Sequence, residues 1–324
     1  MTTSTPTETR AASTPRRLLR DLMTLTKPGV TRMCALEAAG AAWLALHSPA
    51  SPFSPETPAD GWCSPGFAVA FAGVIGASLS VAGASALNMW LERAKDPLMA
   101  RTRTRPLALP EAARRLSSGT ALGFAVTLCL LSVAILWTFT NPLTAILAAW
   151  AIVGYALVYT PLKYRTPLAL VIGAVPGAAP PLLGWAAVTG DISAGGLALF
   201  AILFVWQMPH FLAITLFRQA DFARAGIQCV PVVRGELVTR VQAVLWSIVL
   251  VPISLLPTVI GLTGWFYGGV ALALSLGFLA VACTGLRGTW TPVQTTRWAR
   301  RFFFASLLYL PALLAALVVD VLVF

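Results

Sequence analysis

Apolar residues run along this chain in nine long blocks, at about 29–47, 66–91, 119–140, 142–162, 168–188, 195–217, 241–262, 268–286 and 303–323. Each block is close to the ~20 residues that an α-helix needs to cross the hydrocarbon core of a bilayer. Short polar or charged segments separate them. The pattern predicts an all-α protein, a polytopic membrane bundle of nine transmembrane helices.

The segments between the blocks fix an orientation. Alternate segments carry every cation. Arg10, Arg16, Arg17, Arg20, Lys27 and Arg32 stand at the entrance to the first block. Seven follow the second block, Lys163 and Arg165 follow the fourth, four follow the sixth and four the eighth, which accounts for all 23 Lys and Arg. The other side holds only Glu56, Asp60, Asp191 and the near-terminal Asp320. By the positive-inside rule the N-terminus is cytoplasmic and the C-terminus lies on the outer side.

Residues 1–24 are read as a disordered cytoplasmic tail, and 25–324 as a single transmembrane domain. The tail is rich in Arg, Ser and Thr, as a mitochondrial transit peptide is. Glu8 and Asp21 interrupt it and favour the cytoplasmic reading. A bacterial cell (inner) membrane is therefore expected, ahead of the mitochondrial inner membrane.

Composition agrees with a lipid environment. Hydrophobic residues make up 57% and charged residues 11%, against roughly 25% charged in a soluble domain. The net charge of +11 is split among loops and forms no single basic stripe with stacking aromatics, so nucleic acid is not an expected partner. The five cysteines include no C-x-x-C pair, and both histidines are isolated, so no zinc, iron–sulfur or disulfide pattern is present.

Chemistry concentrates after the second block. Asn88, Glu92 and Asp96 are spaced i, i+4, i+8, within about 80° of one helix face. Arg93, Lys95, Arg101, Arg103 and Arg105 stand around and after them. Hard oxygen donors suit a divalent cation such as Mg²⁺, and guanidinium groups suit the oxygens of a diphosphate. The same residues also fit an ordinary basic loop whose acids pair with neighbouring cations. Pro97 disfavours helix at Asp96, which instead could start a new helix with Pro97 at its first position.

Two more segments share that side. Asp221, with Arg218 and Arg224, follows the sixth block. Lys163 and Arg165 lie in the turn Tyr159-Thr-Pro-Leu-Lys163-Tyr-Arg165. Asp221 would join Asn88, Glu92 and Asp96 as a metal ligand, and Arg101, Arg105, Lys163, Arg165 and Arg218 would capture diphosphate. Two ionisable residues lie deeper. Glu37 is near mid-membrane. His210, beside Pro209, is about 10 Å below the cytoplasmic end of its block. Such residues mark functional sites or satisfied contacts between helices.

Together these stretches resemble the intramembrane aromatic prenyltransferase (UbiA) superfamily, and within it the heme-farnesylating branch. The resemblance rests on Leu25-Thr-Lys27-Pro28; the N-x-x-x-[DE]-x-x-x-D of Asn88, Glu92 and Asp96; the R-T-x-x-R-P run from Arg101 to Pro106; Tyr159-Thr-Pro-Leu-Lys163; Gly173 to Pro181; and Trp206-Gln-Met-Pro209-His210-Phe211 with Arg218-x-x-Asp221. Glu92 stands where Asp is common, and Ala225 stands where a second carboxylate would follow Asp221. The resemblance implies that farnesyl diphosphate donates its farnesyl group to a vinyl group of heme B. Water adds and diphosphate leaves, with Mg²⁺ as cofactor. Asn88, Glu92, Asp96, Asp221 and Lys163 are then the catalytic set, and His210 belongs to the heme side. Membrane proteins that modify heme or assemble an oxidase are the protein partners implied. A UbiA-type enzyme acting on an aromatic acid or quinone precursor, and a membrane transporter or cofactor carrier, are the alternatives.

Overall fold

The computed structural model describes residues 15–53, 64–110, 113–114, 116–287 and 290–323. Among them the regular structure is helical. Eight helices are long and apolar enough to cross a membrane: α3 (Pro65–Leu91), α4 (Ser118–Phe139), α5 (Pro142–Leu162), α6 (Ala169–Thr189), α7 (Ala194–Phe217), α9 (Val230–Val259), α10 (Trp265–Thr284) and α11 (Pro292–Val323). They match the second to ninth apolar blocks. The first block forms α2 (Pro28–Leu46), which carries Arg32 and Glu37 and buries Ala38, Gly40, Ala41, Ala42, Leu44 and Ala45. The short helix α8 (Gln219–Arg224) follows α7. The chain is a multi-pass membrane protein.

Start signals are local. Pro stands in the first turn of α2, α3 and α5, where its missing N–H removes no bond. Ser64, Ser117 and Asn141 cap α3, α4 and α5 by accepting from the amides of Phe67, Thr120 and Thr144.

The sequence reads residues 1–24 as a disordered tail. Pro15–Leu25 instead forms helix α1, because Leu18, Leu22 and Leu25 recur at helical spacing and pack on Met89, Leu107 and Leu116 beside α3 and α4. Residues 1–14 of that tail lie outside the described residues.

The helices pack as a closed sequence. α2 lies on α3 and α6, α3 on α4, α4 on α5, α7 on α9, α9 on α10, α10 on α11, and α11 returns to α2 and α7. α6 is the most enclosed of the eight. Small residues permit the close approaches. A Cβ on Gly184 of α6 would collide with the Ala38 carbonyl of α2. In a bilayer such backbone proximity is a main source of helix association, because lipid offers no hydrophobic drive.

Two irregularities shape the basic end of the bundle. The last stretch of α5, Gly154–Tyr159, is a π-helical turn, a common feature of functional sites. In α9, Gly235 adopts φ 84° and breaks the helix near its start. That φ is accessible to glycine without strain.

Candidate active site

The site is built at the end of α3. Asn88 sits in its last turn, and the helical bond ladder continues past the helix end. The Glu92 amide donates to Asn88 O at 3.0 Å, and the Asp96 amide donates to Glu92 O at 2.9 Å. The three residues therefore keep their four-residue register. Asp96 also opens a 3-10 turn, Asp96–Leu98, with Pro97 in its first positions. All three side chains are buried, at 2%, 4% and 0% exposure. Buried polar groups require partners, and each has a cation, Lys27 and Lys163 from other segments and Arg105 from the same loop.

Lys27 Nζ donates to Asn88 Oδ1 at 2.7 Å. Asn88 Nδ2 donates to Thr160 Oγ1 at 3.0 Å, and Thr160 Oγ1 donates to Tyr155 O at 2.9 Å. The amide is thus fixed with its oxygen toward Lys27. Glu92 Oε1 is ion-paired with Lys163 and accepts from Tyr164 OH at 3.3 Å. Arg105 Nη1 reaches both oxygens of Asp96, at 2.9 and 3.0 Å. The loop folds back to allow this, with Thr102 Oγ1 bonded to Asp96 O at 2.7 Å.

Asp221 is held by Arg224 and stands 3.8 Å from Arg218. Packing carries it to the same end. Met99 of the first loop clusters with Ala225, Ile227 and Cys229, joined by Tyr164 and Phe222. The Gln228 amide donates to Lys163 O at 2.9 Å. Three loops remote in sequence are thereby tied together. The positive charges of Arg101 and Arg218 are close enough to repel.

Electrostatics follow from burial. Burial pushes the Asp96 carboxyl above its usual range, and Arg105 opposes the shift. Burial pulls the Lys27 ammonium down to about 8, with Arg105 adding repulsion. The Tyr164 hydroxyl is raised by burial and by the Glu92 carboxylate.

Of the expected residues, Glu92 pairs with Lys163 and Asp96 with Arg105, Asn88 is held beside them by Lys27 and Thr160, and Asp221 and Arg218 join through the loop packing. Arg165 is exposed and makes no ion pair among the described residues. His210 is elsewhere. Its Nδ1 lies 2.7 Å from Ser306 Oγ of α11, and its ring is stacked on Trp206 at 4.7 Å and 5.0 Å from Phe303. Glu37 is also apart from the charged cluster. Its Oε1 is buried with no hydrogen-bond partner among the described residues, beside a cavity of about 30 Å³ with Gly40, Pro181 and Tyr267 in its wall.

Lys27 was not singled out as a site residue from the sequence. Its signal was a lone cation and a proline opening an apolar block. Lys27 is the one described non-glycine residue with positive φ, at 48°, a strained conformation that clusters at functional sites. Thr160 and Tyr164 were missed too, because nothing local tells that they reach Asn88 and Glu92.

The donor set fits a magnesium ion. Asn88, Glu92, Asp96 and Asp221 offer only oxygens, as Mg²⁺ prefers. Among the described residues no three His, Cys, Asp or Glu side chains cluster closely enough to hold a metal by themselves. A bound ion would need oxygens of its substrate to complete its shell, which is how Mg²⁺ commonly sits with phosphates.

Comparison with known proteins bears on this arrangement. The model of the UbiA prenyltransferase family matches residues 37–318. A protoheme IX farnesyltransferase of Sorangium cellulosum is 49% identical over 76% of this chain and 85% of its own. One of Myxococcus xanthus is 42% identical over 96% of this chain and 97% of its own. Among solved structures, a UbiA homolog from Archaeoglobus fulgidus bound to GPP and Mg²⁺ aligns with a TM-score of 0.61 at 16% identity, covering 92% of this chain and 99% of that one. A digeranylgeranylglyceryl phosphate synthase aligns at 0.71 and 15% identity, covering 94% and 99%. The structural likenesses concern the fold.

Proposed function

The chain belongs to the UbiA prenyltransferase family, and we propose that it transfers the farnesyl group of farnesyl diphosphate to a vinyl group of heme B, giving heme O and diphosphate. Relatives bearing the name protoheme IX farnesyltransferase, at 42% identity over nearly the whole chain, support the substrates. Their bacterial sources support a bacterial inner membrane. Nine spans, with the N-terminus cytoplasmic and the C-terminus outside, follow from adding α2 to the eight apolar helices and from the charge partition.

One observation carries the assignment of the site. Each buried oxygen ligand of the cluster is matched with a cation: Asn88 with Lys27 and Glu92 with Lys163 from remote segments, Asp96 with Arg105 of its own loop, and Asp221 with its helical neighbours Arg218 and Arg224. A magnesium–diphosphate carries both charge signs. It would exchange partners with such an array, its phosphate oxygens taking the cations and its metal taking the carboxylates. Desolvated charges that gain a better partner on binding strengthen that binding and exclude substrates lacking diphosphate.

The chain's residues then act as follows. Lys27, Lys163, Arg105 and Arg218 hold the diphosphate at the membrane face and stabilise the charge it gains as the C1–O bond of the donor breaks. Asn88, Glu92, Asp96 and Asp221 would hold magnesium, which when bound would supply Lewis-acid stabilisation of that leaving group. The allylic carbon left electron-poor is attacked by the terminal vinyl carbon of heme B. The porphyrin-side cation is quenched by water, which loses one proton and leaves the hydroxyl. His210 is assigned to the heme side. It lies eleven residues before Asp221 on continuous helix for most of that length, at most about 17 Å, and its Nε2 makes no hydrogen bond among the described residues.

The test is direct. Purified protein in lipid, given farnesyl diphosphate, heme B and Mg²⁺, should form heme O and diphosphate in equal amounts, read by mass spectrometry and phosphate assay. Formation of a prenylated aromatic acid or quinone precursor in place of heme O would overturn the acceptor.

A further inference from the structure

The amphipathic helix α1 is not used by the proposed chemistry. Its residues divide among three faces. Leu18, Leu22 and Leu25 face the protein, within about 60° of one another, and pack on α3, α4 and the loop between them. Arg17, Asp21 and Thr24, with Arg20 at the edge between this face and the next, line a cavity of about 490 Å³ that Thr104 and Pro106 close from the other side. The remaining face carries Leu19 and Met23, one turn apart. They are 62% and 52% exposed. Arg16 and Arg20, both exposed, border this apolar pair on one side, roughly 20–60° beyond Met23 round the helix.

An exposed apolar strip bordered by arginines is costly in water and common at a bilayer surface. Position favours the bilayer here. Three residues after Leu25 the chain enters α2, and the strip lies at the end of the bundle where the cations gather. Arginines at that depth extend their guanidinium groups to lipid phosphates while their stems stay among the acyl chains. Within this face, among the described residues, neither Arg16 nor Arg20 forms an ion pair with an acid of the protein.

We propose that α1 lies in the cytoplasmic headgroup layer, with Leu19 and Met23 immersed in the acyl boundary and Arg16 and Arg20 binding the phosphates of anionic phospholipids. The helix thereby anchors the first loop of the site to the membrane surface, since α1 also packs on Leu107, two residues after Arg105. The proposal goes beyond the prenyl-transfer reading and holds or fails independently of it.

Hydrogen exchange of residues 15–25 tests it, measured by mass spectrometry on the full chain in nanodiscs of phosphatidylcholine, with and without phosphatidylglycerol. The expected result is exchange slowed about tenfold or more by the anionic lipid, with the effect screened by salt. R16Q/R20Q should lose that difference between compositions. L19Q/M23Q should exchange faster than wild type in both. Segments of α7 serve as a folding control and should be unchanged in either variant. Equal exchange in the two lipid compositions for the wild type would overturn the proposal, as would an effect of phosphatidylglycerol that survives R16Q/R20Q. Slowing by free inorganic phosphate alone, in detergent, would show a soluble anion site in place of a lipid contact.

Discussion

Lys27 Nζ donates to Asn88 Oδ1 at 2.7 Å across 61 positions of sequence. The contact joins the entrance of α2 to the end of α3. The amide nitrogen of the same Asn88 donates to Thr160, whose own hydrogen is committed to Tyr155 O. Asn88→Asp therefore keeps an oxygen for metal but turns a donor into an acceptor facing a hydroxyl with no hydrogen to give. We expect the variant to lose about 1–3 kcal/mol of stability, read from thermal unfolding in detergent, and to lose turnover as well. A variant as stable as wild type would contradict the bond assignment.

Asp96 is fully buried and paired with Arg105. Asp96→Asn removes both a metal oxygen and the charge partner of Arg105. Heme O formation should fall by about 10²–10³-fold, the scale for losing one preorganised electrostatic contact in a transition state. Added Mg²⁺ should not restore it. Near wild-type turnover in a product assay would remove Asp96 from the site.

Lys163→Ala and Arg105→Ala test the cationic half of the array. Each lost charged hydrogen bond costs about 1.5–3 kcal/mol. The KM for farnesyl diphosphate should rise by roughly tenfold or more, and heme affinity should stay near wild type. Equal losses for both substrates would point to disordered loops rather than to diphosphate capture. Arg165→Ala, at an exposed position, should change the donor KM less than either Lys163→Ala or Arg105→Ala.

Ser306 Oγ lies 2.7 Å from His210 Nδ1 and orients the ring. If His210 meets heme through Nε2, Ser306→Ala should weaken heme binding by about tenfold, the scale for removing the support of a ligating imidazole. His210→Ala should weaken it further and shift the Soret band, with donor affinity unchanged. An unaltered spectrum and affinity in both variants would leave His210 as a packing residue between α7 and α11.

Asp320 accepts from the amides of Gly264 and Tyr267 at 2.5 and 2.9 Å, so the end of α11 caps the start of α10. A carboxylate there satisfies orphan donors and meets the positive end of the helix dipole. Asp320→Ala should cost about 1–2 kcal/mol and lower the unfolding temperature without affecting the substrate affinities.

Much of this protein follows from its sequence, for a physical reason. A bilayer admits few backbone arrangements, so block length determines the helices, and the side on which Lys and Arg fall predicts their sidedness, without knowledge of packing. Eight of the apolar blocks are spans by length and composition, and Asn88, Glu92 and Asp96 share a register because their spacing is helical. Tertiary structure alone decided the rest. Lys27, Thr160 and Tyr164 reach their partners across 61 to 72 positions, distances over which sequence periodicity carries no information. The π-turn at Gly154–Tyr159 has no local signature and precedes the turn that carries Thr160, Lys163 and Tyr164. Asp320 reads only as a near-terminal acid on the outer side and is a buried cap. α1 read as tail, since eleven residues rich in arginine make a weak helix alone, and it is the surface of α3 and α4 under Leu18, Leu22 and Leu25 that makes it one.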